Sequence, residues 1–177
     1  MSFLLLANRV NSLYTRHMTT VVLIKANLSS VRKDLAEVFP QISDDMLDWA
    51  PGEGMRTIHG QFVEILGTEM SILTALNGAP KRSSEEVDGE YWAVKSVAGL
   101  VEKLDEVRGL TLNLIDSLDE EALAAPASVS EGFANFLDLN PLPVSELLRF
   151  IARHESYHAG QLVSYLWARG NDPYKWD

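Results

Sequence analysis

The chain has 177 residues, 15 Lys and Arg against 25 Asp and Glu, a formal charge of −10 and no cysteine. Such a surface repels phosphate backbones, and no basic amphipathic stretch offers a hold on an anionic membrane, so nucleic acid and membrane are set aside as partners. Without cysteine there is no disulfide, thiolate metal site or cysteine nucleophile: a metal must sit on imidazole and carboxylate, and any reacting sulfur must arrive from outside.

Hydrophobic residues make up 46% and charged residues 23%, the composition of one ordinary globular domain. The apolar run Phe3 to Ala7 is too short for a secretion signal and has no basic lead-in. No run of about 18 apolar residues occurs, so a cytoplasmic protein is expected. Residues 1–18 read as an N-terminal extension, with His17 at the surface, and residues 19–177 as the domain.

In chain order, Ile24, Leu28, Val31, Leu35 and Val38 recur at steps of three and four and predict a first helix over about 20–39, stopped by Pro40. A connector with Ser43 and Asp44 as caps leads to the loop Trp49-Ala50-Pro51-Gly52-Glu53-Gly54. A second helix is predicted from about Met55 to Leu76, with Phe62, Leu66, Met70 and Leu73 on one stripe and His59 within it. The charged run Lys81 to Glu90 reads as a solvated loop. A third helix follows over about 91–118, with Val97, Leu100, Leu104, Val107, Thr111 and Ile115 inward. The connection from Asp119 to Pro143 is long enough to require local folding or a covering role, and a short helix is expected near Phe133 to Leu137. The fourth helix starts near Val144 behind two prolines and stops at Gly170. The fold class is therefore all-α: a four-helix bundle with a long connection between its third and fourth helices.

The fourth helix carries the chemistry. His154 and His158 are four residues apart and so neighbours on one face, in the same stripe as Leu147, Ile151, Gln161 and Tyr165. Two buried imidazoles both need partners, and one metal ion satisfies both. His59, inward on the second helix, completes a triad of metal ligands, the way bundles assemble such sites from facing helices. Three imidazoles leave a coordination position for water or substrate, which separates a reactive site from a structural one.

His154-Glu155-Ser156-Tyr157-His158 also matches the zinc-peptidase pattern H-E-x-x-H. Its extended form needs glycine where Gln161 stands and histidine where Ser164 stands, and only Asp172 and Asp177 are acidic downstream, so peptidase activity is set aside. Glu155 and Gln161 remain the candidate catalytic residues: Glu155 to assist proton transfer or orient a ligand, Gln161 to hydrogen-bond water or substrate. Trp49, Trp92, Phe133, Phe136, Tyr157 and Trp176 are the aromatic candidates for the wall of a substrate pocket.

The run His154 to Leu162, followed by Leu166 and Gly170, resembles the last helix of the DinB/YfiT-like bundles. The segment Leu47-Asp48-Trp49-Ala50-Pro51 and the tail Gly170-Asn171-Asp172-Pro173-Tyr174 are similar too. The resemblance covers the chain from about residue 20 and implies a metal triad, with His59 where the upstream ligand belongs. It further implies a divalent ion such as zinc, nickel, iron or manganese, a homodimer and a link to stress. Better-understood relatives are S-transferases and an isomerase that use low-molecular-weight thiols. A metal-dependent thiol transferase acting on a small-molecule substrate is the expectation, with a metal-dependent hydrolase or a non-enzymatic metal-binding module as alternatives.

Overall fold

The computed structural model describes residues 19–80 and 82–176, so the expected extension and His17 lie outside the described residues. Among those residues there are seven α-helices and no strand: α1 (Thr20–Val38), α2 (Ile58–Leu76), α3 (Ser84–Trp92), α4 (Val97–Asp116), α5 (Glu120–Ala124), α6 (Glu131–Phe136) and α7 (Val144–Ala168). The all-α expectation holds.

Local chemistry sets most of these ends. Thr19, Thr57, Ser83, Ser96, Asp119 and Ser130 each accept a backbone N–H of the following turn, which supplies partners for donors that a helix start leaves unpaired. The loop before α2 folds onto its start: Ile58 N–H donates to Trp49 O (2.9 Å) and His59 N–H to Leu47 O (2.8 Å). At the other end of the chain Gly170, with φ of 88°, stops α7. Asn171 N–H then reaches Leu166 O (3.0 Å) and Gly170 N–H reaches Trp167 O (2.9 Å), which pairs the last carbonyls.

Helix α2 is wrapped by α3, α4 and α7, and α1 lies along α7. That is why α2 is buried on nearly every side, from Ile58 through Leu73. The charged run expected to be a loop is α3 instead. Ser83 and Glu86 form a reciprocal capping box, and Val87 and Tyr91 are buried. The third long helix consequently starts at Val97 rather than Tyr91, after a break capped by Ser96.

The long connection does fold locally. Ala127 N–H donates to Leu142 O (2.8 Å) and Val144 N–H to Ala125 O (3.0 Å), pinning its two ends together around α6. The core divides into two apolar clusters, one around Phe62, Leu66, Leu104 and Leu162, the other around Leu28, Ile115, Leu148 and Ile151. Between them runs a buried polar belt of Glu69, Arg108, Thr111 and Glu155, which Arg32 joins from α1.

Candidate metal site

Histidines 154 and 158 stand on the face of α7 that meets α2. Their Nε2 atoms are 3.1 Å apart. From α2, Gln61, Glu64 and Thr68 arrive at steps of three and four, a single stripe facing α7. Gln61 Oε1 accepts from His158 Nδ1 at 2.5 Å, and Gln61 Nε2 donates to Tyr165 Oη at 3.0 Å. Because a carbonyl oxygen only accepts, the His158 proton sits on Nδ1, and its Nε2 lone pair points toward His154. Thr68 Oγ1 lies 3.4 Å from His154 Nε2. Glu64, His154 and His158 offer ligand atoms that all lie within 4.8 Å of one another.

These residues fit a divalent ion. Two imidazole nitrogens bound at ordinary zinc distances in a tetrahedron stand about 3.3 Å apart, close to the separation seen. Both rings are neutral at pH 7. Burial, with the Arg56 charge second, pushes the His154 pKa down to about 4. Burial, with the neighbouring His154 second, takes His158 to about 4 as well. Neutral imidazole is the metal-binding form. Arg56 completes the arrangement by donating to Glu64 Oε1 at 2.5 Å. Its stem crosses Gly60, where a Cβ would come within 2.5 Å of Arg56 Cγ.

The other expected site residues fall differently. His59 is buried, at 1% exposure, but is not in the group with His154 and His158. Its Nε2 is 3.2 Å from Tyr91 O, which fixes the proton there, and its ring packs edge-on against Trp92 at 4.6 Å. Five residues separate His59 from Glu64, about 140° around the helix, so the two face different neighbours. The residue of α2 grouped with the two histidines is Glu64.

Glu155 turns away from the histidines into the polar belt. Arg32 Nε donates to its Oε1 at 2.8 Å, and Arg108 Nη2 donates to its Oε2. Arg108 also grips Glu69 through Nε (2.8 Å) and Nη2 (3.1 Å), and Thr111 Oγ1 donates to Glu69 at 2.5 Å. Glu155 thus anchors α7 against α1 and α4. Gln161, one turn beyond His158, is half-buried, and its Oε1 is a buried acceptor with no hydrogen-bond partner among the described residues.

Of the aromatic candidates, Phe133 lines an open cleft of about 760 Å³ that reaches Glu64 and Thr68. Trp49 packs on Tyr165, Trp176 joins the first core cluster, and Phe136 and Tyr157 are exposed. Gln61, Glu64 and Thr68 do recur at steps of three and four, but His59, Glu69, Ser71 and Thr74 make the same helix polar elsewhere, so the stripe does not by itself single out Glu64.

The sequence pattern of the DinB superfamily matches residues 27–162, which include all three clustered side chains. No curated protein and no solved structure matches the chain.

Proposed function

The chain belongs to the DinB superfamily, and from that premise we propose that Glu64, His154 and His158 hold one divalent metal ion in a thiol-dependent S-transferase. The convergence of a carboxylate and two neutral imidazoles from two helices, with the carboxylate also lining an open cleft, is the observation that carries this reading. When bound, such an ion supplies a Lewis acid that increases the acidity of a thiol or water beside it.

The protein's own groups prepare that site. Gln61 fixes the His158 tautomer and ring orientation, and Tyr165 in turn fixes Gln61. Arg56 occupies one oxygen of Glu64 and leaves the other free to face the histidines. Gln161 Oε1 is an acceptor for a donor group brought in by a ligand. The cleft admits a small molecule to the Glu64 and Thr68 end. The absence of cysteine from the whole sequence supports a sulfur nucleophile that comes as a low-molecular-weight thiol. A homodimer belongs to the same proposal and rests on the family likeness.

Elemental analysis of the purified protein should give one metal per chain, and cysteine or glutathione should be arylated by an aryl halide only in the metal-loaded protein. His154→Ala should lose both. Turnover unchanged in that variant removes the transferase reading, and a metal-free wild-type protein removes the site.

A further inference from the structure

The cleft that reaches Glu64 has three charged side chains on its walls, Glu64, Arg82 and Asp88, and their pairing is uneven. Arg82 lines the outer part, but its guanidinium already donates to Glu90 (2.5 Å) and to the Glu86 carbonyl (3.4 Å). Glu64 is matched by Arg56. Asp88 is left. It projects from α3, lines the cleft and has neither a hydrogen-bond donor nor an ion-pair partner among the described residues.

Its position is built. Asp88 Oδ1 lies over Gly67 of α2, where a Cβ would stand only 2.4 Å away, so only glycine there lets the carboxylate settle against the helix. Gly67 is one residue from Thr68, which touches His154, and three from Glu64. The walls around it include Ile72, Val87 and Phe133, so the carboxylate borders apolar surface. Burial raises its pKa, and the Arg56 charge, acting the other way, offsets that only in part. An acid without a cationic partner beside apolar walls suits an organic cation, which brings a charge for the carboxylate and hydrocarbon for the walls.

We propose that the cleft takes an amine-bearing small molecule, its ammonium group held by Asp88 and its reacting end directed at the Glu64, His154 and His158 cluster. This deepens the transferase reading and rests on it for the reaction, though not for the binding. The chain's net charge of −10 favours the approach of the same class of ligand.

The test uses the full chain kept in chelator at pH 7, titrated calorimetrically with benzylamine and with benzoate, two probes of one shape and opposite charge. Benzylamine should bind at least about tenfold more tightly than benzoate, and Asp88→Asn should lose about tenfold of that affinity. Gly67→Ala keeps the charge but displaces the carboxylate tip, and should lose a comparable share. Benzoate binding as well as benzylamine, no benzylamine binding by the wild type, or an Asp88→Asn protein with undiminished affinity would each overturn the proposal. Metal uptake by the same wild-type preparation, read by elemental analysis, reports separately on the metal cluster.

Discussion

Two residues of α2 separate competing descriptions of the site. His59 spends its Nε2 proton on the Tyr91 carbonyl, whereas Glu64 faces both histidines of α7. Glu64→Gln should weaken metal binding by more than about a hundredfold. His59→Ala should leave metal content intact and cost about 1–3 kcal/mol of stability, because the Tyr91 carbonyl loses its buried donor. Metal titration and urea denaturation of the pair check this; metal loss in His59→Ala would restore that histidine as a ligand. The histidine pair also sets a pH profile. With both pKa values lowered to about 4, the folded metal-free protein leaves these rings neutral while the unfolded chain binds protons from about pH 6.5 downward. Their contribution to stability is therefore complete above pH 6.5 and is lost as pH falls toward 4. For the same reason metal affinity should change little between pH 7 and pH 5, where a site of ordinary histidines would weaken steeply. Competition with a chelator of known pH dependence measures it.

Among the elements, α3 depends on a reciprocal pair of bonds at its start. Ser83→Ala removes one of them and should cost about 1 kcal/mol, with faster amide exchange confined to α3 and the Asp88 side of the cleft. The box Ser83-Ser84-Glu85-Glu86 was visible in the sequence, but the surrounding charge density masked the two buried contacts, Val87 and Tyr91, that make nine residues hold as a helix. Helices α1 and α7 were legible because each has one apolar face, and the pair His154 and His158 because both sit on a single helix whose geometry fixes their spacing. The third partner was not. Helix α2 is buried on almost every side, so inwardness alone does not say which neighbour a given residue meets. Glu155 shows the same limit: its burial follows from α1 and α4 meeting α7 beside it, which periodicity on α7 cannot report.

Over the whole molecule, the apolar clusters above and below the polar belt account for the fold without a metal. Chelation should therefore leave the helical circular dichroism unchanged while lowering the melting temperature by about 5–10 °C through lost ligand linkage. Collapse of the helical signal would mark the ion as structural. Glu155→Gln should be far more damaging than its distance from the cleft suggests, by about 3 kcal/mol, since Arg32 and Arg108 would lose a buried counter-charge. Denaturant unfolding measures that. The belt has a mechanical consequence as well. Sliding α2 or α7 along the bundle by one helical turn, about 5.4 Å, would set Arg108 opposite apolar residues, Ile65 or Leu73 on α2 and Ile151 or Ala159 on α7, and strand ionised groups in hydrocarbon. Glu69 sits five residues beyond Glu64 on one rod, and Glu155 sits beside His154 on the other. The ionic crossing thus acts as a dowel through the stacked helices, holding the carboxylate of one level with the imidazoles of the other.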